Sequence, residues 1–284
     1  MMKSLRVACP AKINLTLEVV NKRDDGFHNI KSIMQLISLY DFLDIKIEKS
    51  LSSSDIILAG NSNELLYDET NLVYKAAKIF FDKANIQNYN VSIYIEKNIP
   101  ISAGLAGGST DASGAIFGLN EIFEKPLTNQ DLHELCAKLG SDLNVCLEGG
   151  CLLATGRGEK TKHLPVKTQS VSLIKPKRLG ISAKEAYTKY SQKKIKPQNN
   201  MTEKMVQALY NGDDINQYLY NDLEYAVFDD YEELQYIKKL YPDAIMSGSG
   251  STFFVLNNII NSDINSDYKI MTGLNFINHG VILV

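Results

Sequence analysis

The sequence lacks the cysteine and histidine spacing of a structural metal site. Its four cysteines, Cys9, Cys136, Cys146 and Cys151, include no CxxC pair and no histidine at a matching distance. Scattered thiols in apolar surroundings are typical of small core residues in a reducing compartment. We therefore expect neither a zinc site nor a disulfide framework, and we expect a cytoplasmic location.

The chain also lacks an excess of charge of one sign and a long apolar run. Thirty Lys and Arg residues stand against 33 Asp and Glu, a formal net charge of −3. Such a chain has no basic field to track nucleic-acid phosphates. No segment approaches the ~18 apolar residues that a membrane span requires. We expect no nucleic-acid and no membrane partner, so any anionic ligand must be bound locally.

What remains is a globular composition of moderate length. The chain has 284 residues, of which 44% are hydrophobic and 22% charged, close to the globular average. At roughly 150 residues per domain, two modest domains are possible. We place the boundary near 155–165, which gives an N-terminal domain of residues 1–158 and a C-terminal domain of residues 159–284. Strand patterns come before helical ones, which favours an α+β fold over a doubly wound βαβ fold.

Hydrophobic periodicity predicts the individual elements. Period-two alternation predicts strands of an antiparallel sheet at 5–20, 43–48, 55–59 and 91–96. Helical periodicity predicts helices at 71–84, 109–123, 128–139, 202–210, 214–227 and 230–240, with Thr128 as an N-cap. We expect further strands at 149–156 and 171–174, a solvated loop in the Lys-rich tract 189–200, and a closing hairpin within 269–284.

The most informative segment is 96–120, EKNIPISAGLAGGSTDASGAIFGLN. Gly104, Gly107 and Gly108 remove side chains from a short loop that runs into a helix starting around Ser109. Backbone N–H groups in such a loop, together with the positive end of the helix dipole, bind anions. The spacing is neither that of a P-loop nor GxGxxG. Glycines alone fit a tight turn equally well, so the phosphate interpretation needs further support.

The residues that follow supply this support. Ser109, Thr110 and Asp111 place two hydroxyls and a carboxylate at the mouth of the helix. These groups act as N-caps, and they also suit phosphate oxygens and a magnesium ion. A bulky residue at Gly107 or Gly108 is therefore expected to fill the phosphate space, and to adopt a positive φ only with strain.

A second Gly-Ser cluster lies in the other half of the chain, at 247–252 (SGSGST). Alone, this cluster is more typical of a flexible turn. Two anion-binding loops in one chain, however, match a ligand with several phosphates held between two lobes. The two loops together therefore favour a nucleotide as the ligand.

Two charged residues of opposite sign lie in unusual contexts. Lys12 lies in an alternating strand, where a lysine normally faces solvent. Asp142 precedes an apolar run, where an unpaired carboxylate is costly to bury. If the fold brings them together, the lysine favours the ionised carboxylate, and the pair becomes a general base with an electrostatic helper.

Three segments, PAKINLTL, PISAGLAGGSTDASG and MSGSGSTFF, resemble the signature motifs of the GHMP small-molecule kinases. They occur in the family's order, from residue 10 to about 255. Two more stretches, RDDGFHNIKSIMQ and GSDLNVCLEGGCLLATGRGE, resemble the branch whose alcohol substrate carries a cytidine diphosphate. The resemblance implies an α+β fold with a ribosomal-protein-S5-like N-terminal lobe and a ferredoxin-like C-terminal lobe. It also implies an alcohol phosphotransferase that uses ATP and Mg²⁺, as a monomer or weak homodimer.

The resemblance assigns roles residue by residue. Lys12 and Asp142 match the catalytic pair, with Asp142 taking the substrate hydroxyl proton, and Asn14 matches a substrate-contacting Asn. Positions near the nucleotide are matched by Asn71, Lys97, Pro100, Ala103, Gly104, Leu105, Ala106, Gly107, Gly108, Ser109 and Thr110.

At the far end of the substrate, Phe27 and His28 match the aromatic-His pair that holds the cytosine, and Tyr187 is the candidate for a second stacking ring. Three positions depart from the family pattern. Phe27 stands where a Tyr is common, residues 143–145 (LNV) replace the usual Val-Pro-Phe, and Ser251 replaces a usual Pro. These departures leave the catalytic groups in place and concern the residues expected to line the substrate side of the site.

Other functions remain open. Another GHMP kinase, acting on homoserine or a mevalonate derivative, would have no pyrimidine for Phe27 and His28 to hold. A non-catalytic nucleotide-binding homologue would not need Lys12 and Asp142. An RNA-binding module is disfavoured by the net charge.

Overall fold

The structure, a computed structural model, describes residues 2–51, 54–193, 200–258, 260 and 265–284. In this part of the chain the strands are β1 (Lys3–Lys22), β2 (His28–Lys49), β3 (Asp55–Gly60), β4 (Tyr89–Glu96), β5 (Cys151–Gly156), β6 (Lys160–Leu164), β7 (Ser170–Pro176), β8 (Tyr220–Asn221), β9 (Ile245–Met246), β10 (Phe253–Leu256), β11 (Tyr268–Asn275) and β12 (Ile282–Leu283). The α-helices are α1 (Leu72–Ala84), α2 (Gly107–Ile122), α3 (Asn129–Leu139), α4 (Leu143–Glu148), α5 (Ala183–Lys193), α6 (Met201–Asn211), α7 (Asp222–Val227) and α8 (Glu232–Leu240).

Two sheets organise these elements. The larger has the order β12-β1-β2-β4-β3, with β5 and β6 continuing from β2 and β8 beside β1. The smaller has the order β11-β7-β10-β9 and is antiparallel. In the larger sheet β3 runs parallel to β4 and β8 parallel to β1, so the sheet is mixed rather than purely antiparallel. The α+β fold is confirmed.

Helix α2 packs closely on the larger sheet. Val7, Cys9 and Leu43 share one buried cluster with Ala115 of this helix. A Cβ at Gly114 would lie 2.3 Å from Cys9 Sγ, so the close approach of helix and strand requires a glycine there. This packing fixes the N-terminal turn of α2 relative to β1.

Three predicted helices are confirmed, and two of them have side-chain N-caps. Asn71 caps α1, its side chain accepting a hydrogen bond from Val73 N. Thr128 caps α3 in a capping box with Asp131. Helix α2 begins at Gly107, two residues before the expected start.

Other predicted elements differ. The strand expected at 43–48 is the end of β2, which begins at His28 and pairs with β1 along most of its length. Residues 189–193 belong to α5 rather than to a loop, and Lys189 and Lys193 both pair with Asp230. Residues 194–199 lie outside the described residues. The sequence analysis also did not predict α4.

The C-terminal third is more divided than its periodicity predicts. Residues 214–227 form a 3₁₀ turn (Asn216–Tyr218), β8 and α7 instead of one helix. The closing hairpin is wrong: β11 joins the smaller sheet through β7, whereas β12 joins the larger sheet through β1. Strands β6, β8 and β12 thus all extend the larger sheet, and the division between residues 158 and 159 stays a prediction. No helix in the described ranges is long and apolar enough to cross a membrane.

Candidate active site

A large cleft collects the predicted site residues from distant parts of the chain. Its volume is about 1350 Å³. It is lined by the predicted residues Lys12, Asn14, Phe27, His28, Asn71, Lys97, Pro100, Ala103, Gly104, Leu105, Ala106, Gly107, Gly108, Ser109, Asp142 and Tyr187. Thr110 is the exception, because it is buried one residue further into α2. A space of this size accommodates two small-molecule ligands side by side.

The glycine-rich loop leads directly into the N-terminus of α2. Ala106 occupies the N-cap position with a left-handed backbone and offers no side-chain cap. The N–H groups of Gly107, Gly108 and Ser109 have no partner within the helix, and all three residues line the cleft. The helix therefore presents an uncapped, positively polarised end to the cleft, as an anion site requires.

The positive φ angles lie elsewhere than the sequence analysis expected. Gly104 (+75°) and Ala106 (+58°) adopt left-handed conformations, whereas Gly107 and Gly108 do not. A Cβ at Gly107 would lie 2.7 Å from Lys97 Nζ, and one at Gly108 would meet nothing within 4 Å. Substitution at Gly108 therefore extends into open space, and the expected backbone strain applies to Gly104.

The second Gly-Ser cluster packs against the first loop. Ser247 Oγ donates to Gly104 O at 3.0 Å, and Thr252 N donates to Ala103 O at 3.3 Å. A Cβ at Gly104 would lie 1.9 Å from Ser247 O, so the two backbones are in direct contact. Gly248 also lines the cleft, and a Cβ there would lie 3.1 Å from Lys12 Nζ. This cluster thus supports the first loop and borders the cleft.

Lys12 and Asp142 meet at the floor of the cleft. Lys12 Nζ donates to Asn14 Oδ1 at 2.7 Å and to Gly104 O at 3.0 Å, and it lies 3.5 Å from Asp142 Oδ2. The Lys12 side chain is 4% exposed and that of Asp142 28%. Asp142 stands at the N-cap of α4 without capping it. Its carboxylate therefore keeps both contact with a cation and access to a ligand.

Asn14 is held in one orientation beside this pair. Its Nδ2 donates to Ser32 Oγ at 2.8 Å, and Ser32 Oγ donates to Thr16 O at 2.6 Å. Its backbone N donates to Ser247 Oγ at 3.3 Å. With the amide nitrogen directed to Ser32, the amide oxygen must face Lys12, so Asn14 fixes the ammonium that neighbours Asp142.

Lys97 lines the cleft, but its charge is already neutralised. Its Nζ donates to Asp41 Oδ2 and, at 2.8 Å, to Asp111 Oδ2, and all three side chains are almost fully buried. Burial opposes the charged form, yet the two carboxylates raise the pKa of the Lys97 ammonium. Burial raises the pKa of Asp111 to about 7, and the Asp41 charge adds to this rise while Lys97 opposes it.

From the sequence, Asp111 was expected to suit phosphate oxygens or a magnesium ion, and Asp41 was not predicted. No local pattern singled out Asp41, since β2 also contains Asp44 and Glu48. Asn71 lines the cleft, yet its amide is engaged in capping α1 and donates to Leu66 O at 2.7 Å.

Phe27, His28 and Tyr187 also line the cleft, and together they form its aromatic end. Phe27 is 53% exposed, so it is not a core residue, and the Arg157 guanidinium lies 4.9 Å from its ring centroid. The His28 ring stacks on Tyr187 with centroids 5.0 Å apart, and its Nε2 is 3.1 Å from Ser191 Oγ. Burial, followed by the Lys22 charge, lowers the pKa of His28, and burial raises the pKa of Tyr187.

The sequence of this chain is similar to those of known kinases. Residues 71–150 match the family model described as the GHMP kinases N terminal domain. The chain is 39% identical over 254 residues to a 4-diphosphocytidyl-2-C-methyl-D-erythritol kinase of Clostridium botulinum, covering 87% of this chain and 88% of that protein. A kinase of the same name from Bacillus cereus is 39% identical over 259 residues, covering 89% and 88%.

Two solved structures are also similar. A crystal structure of 4-(cytidine 5'-diphospho)-2C-methyl-D-erythritol kinase matches with a TM-score of 0.69 and 29% identity, over 89% of each chain. A homoserine kinase from Cytophaga hutchinsonii matches with a TM-score of 0.73 over 99% of this chain and 97% of that one. Its identity is 16%, so this second likeness shows the fold alone.

Proposed function

Because the chain belongs to the GHMP kinase family, we propose that it transfers the γ-phosphoryl group of ATP to the 2-hydroxyl of 4-diphosphocytidyl-2-C-methyl-D-erythritol, a step of the non-mevalonate isoprenoid pathway. The observation that carries the proposal is the position of Lys12 and Asp142 beside the uncapped N-terminus of α2 in one cleft. Relatives at 39% identity that bear this enzyme's name support the choice of substrate.

The residues divide the reaction between them. The uncapped end of α2 binds the ATP phosphates through backbone N–H groups. The substrate hydroxyl oxygen attacks the γ-phosphorus in line, a new P–O bond forms, and the bond to the β-phosphate oxygen breaks, releasing ADP. Asp142 accepts the hydroxyl proton, and the Lys12 ammonium, 3.5 Å from the Asp142 carboxylate, offsets the negative charge on the transferred group.

Magnesium fits this cleft as an ion held mostly by the ATP phosphates. In the described residues, no cluster of three or more His, Cys, Asp or Glu side chains suits a metal. Mg²⁺ in kinase sites needs only one or two protein ligands, because phosphate oxygens and water complete its shell. Asp111 is committed to Lys97, which leaves the Ser109 hydroxyl, at the cleft wall, and Asp142 as candidate contacts. When bound, the ion neutralises phosphate charge.

The aromatic end of the cleft is the proposed cytidine site. The His28 and Tyr187 rings stack on each other with centroids 5.0 Å apart. The exposed Phe27 ring is the available stacking surface. His28 then contributes a hydrogen-bonding edge, and Tyr187, beside His28, is the candidate for a second stacking ring.

The test is a coupled ADP-release assay with 4-diphosphocytidyl-2-C-methyl-D-erythritol, homoserine and mevalonate. We expect kcat/KM for the cytidine substrate to exceed the others at least 100-fold. Phe27→Ala should raise the KM for the cytidine substrate by about 10-fold, because stacking contributes roughly 1–3 kcal/mol. The KM for ATP should stay unchanged. Tyr210→Ala, another exposed aromatic, is the control. Preferred turnover of homoserine or mevalonate would support a sibling kinase instead.

Location and assembly remain part of the proposal. The four cysteines are buried free thiols, which suits a reducing compartment such as the cytoplasm. We propose action as a monomer or weak homodimer.

A further inference from the structure

The turn between β5 and β6 carries an arginine that the reaction described above does not use. Gly156 ends β5 opposite Ile30 of β2, and the next residue, Arg157, lines the cleft. The Glu159 carboxylate accepts a hydrogen bond from Arg157 N at 2.7 Å, which closes the turn on itself.

The same turn packs on the segment that carries Asp142. Asn144 Nδ2 donates to Glu159 O at 3.3 Å. A Cβ at Gly158 would lie 3.2 Å from the Cβ of Ser141, the residue before Asp142. The position of Arg157 is therefore fixed relative to the proposed base.

At its other end, Arg157 reaches the proposed cytidine site. Its guanidinium lies 4.9 Å from the Phe27 ring centroid, a cation–π contact. The neighbouring acid, Asp25, is already held by Arg23 at 2.8 Å, and the nearby Arg157 charge adds slightly to the lowering of the Asp25 pKa. The turn of Arg157 thus packs on the segment that carries Asp142, and its guanidinium lies on Phe27.

The other buried cations of the cleft are already paired. Lys12 contacts Asp142, and Lys97 contacts two carboxylates. Within the described part of the chain, the half-buried Arg157 makes no side-chain hydrogen bond or ion pair. Its five N–H donors can therefore be used by a ligand.

We propose that Arg157 binds the diphosphate group of a nucleoside diphosphate-linked alcohol, which rests on the proposed function. In such a substrate the diphosphate links the base to the reacting alcohol, and Arg157 belongs to a turn that packs on the Asp142 segment while its guanidinium reaches Phe27. A guanidinium fork binds phosphate oxygens in pairs, and the partly desolvated cleft strengthens the contact. Arg157 then determines specificity for the charged linker, separately from the cytosine contacts.

The test compares the affinities of cytidine and CDP by calorimetry, with excess ADP present to fill the nucleotide site. For the wild-type protein we expect CDP to bind at least 10-fold tighter than cytidine. Arg157→Gln should weaken CDP binding by about 10- to 100-fold, the range for hydrogen bonds to charged groups. The affinity of Arg157→Gln for cytidine should stay within about 3-fold of the wild-type affinity. Arg157→Lys should recover part of the lost CDP affinity, since a lysine keeps the charge without the guanidinium fork.

Arg178→Gln is the matched control, since Arg178 is exposed and does not line the cleft. Equal weakening of cytidine and CDP would overturn the proposal, because Arg157 would then act through Phe27. Unchanged CDP binding in Arg157→Gln, or wild-type protein that binds cytidine as tightly as CDP, would also overturn it. If the wild type bound neither ligand and did not phosphorylate the cytidine substrate, the proposed function would fail as well.

Discussion

Lys12 and Lys97 are both buried lysines on the wall of one cleft, yet their surroundings differ. Lys12 faces one carboxylate, Asp142, at 3.5 Å, and that carboxylate is partly exposed. Lys97 contacts two carboxylates, Asp41 and Asp111, and all three side chains are almost fully buried. The Lys12 site can still respond to a ligand, whereas the Lys97 site is neutralised by the protein itself.

The difference separates catalytic from structural use of the same residue type. A buried charge without a partner is strongly disfavoured, so a lysine with two buried acids holds elements together. Lys97 joins β2, through Asp41, to α2, through Asp111, and so fixes the helix end that we assign to ATP. Lys12 faces a single carboxylate that is partly exposed, so we expect it to contact the transferred phosphoryl group as well.

The largest expected effect is on turnover in Lys12→Met. Loss of the ammonium removes charge stabilisation and leaves Asp142 without its cation, so kcat should fall by about 10²–10⁴-fold. The melting temperature should change little compared with Lys97→Met, because Asp142 keeps access to solvent. Lys184→Met, at an exposed cation on the cleft wall, is the control. Near-normal turnover by Lys12→Met would remove the distinction between the two lysines.

Lys97→Met should act on stability instead. It leaves two carboxylates buried without a cation, and breaking a buried pair costs about 3–5 kcal/mol. Urea unfolding of this variant and of Lys12→Met measures the contrast. The double variant Lys97→Met with Asp111→Asn should recover part of the loss, because it removes one of the two buried charges. Equal stability of the two single variants would contradict the structural assignment of Lys97.

Gly104→Ala tests the Lys12 site separately from the Lys97 site, because the Gly104 carbonyl accepts a hydrogen bond from Lys12 and not from Lys97. Gly104 and Gly212 both have positive φ, but only at Gly104 would a Cβ overlap a neighbour, Ser247 O at 1.9 Å. Gly212→Ala should cost about 1 kcal/mol from backbone strain alone. Gly104→Ala should cost more in urea unfolding and should also raise the KM for ATP. Equal effects would show that the contact between the loops is dispensable.

The smallest effect concerns the pH dependence of stability. Asp111 has a folded-state pKa of about 7 against its ordinary 3.8, chiefly because of burial. Between pH 3.8 and pH 7 the folded protein holds a proton on Asp111 that the unfolded chain has released. The contribution of Asp111 to the free energy of unfolding is therefore present at low pH and is lost as the pH rises through about 7. Relative to Asp111→Asn, the wild type should lose about 1 kcal/mol between pH 6 and pH 8. Parallel profiles for the two proteins would contradict the raised pKa.

The contrast between the two lysines also marks what the sequence could predict. Local signals located the glycine-rich loop, Lys12 and Asp142, because motif spacing and an unpaired charge are visible in a short stretch. The contact of Lys97 with Asp41 joins residues 56 positions apart, and no local pattern reports such a pair. The C-terminal strands β11 and β12 were misassigned for the same reason, since their partners lie in different sheets.

The most direct test of the central claim, that Asp142 is the base in phosphoryl transfer, is the steady-state rate of Asp142→Asn with ATP and 4-diphosphocytidyl-2-C-methyl-D-erythritol. The amide keeps the size of the side chain and removes its ability to accept the hydroxyl proton. We predict that kcat falls by about 10²–10⁴-fold while both KM values stay within a few-fold of the wild type. Turnover by Asp142→Asn at close to the wild-type rate would contradict the account.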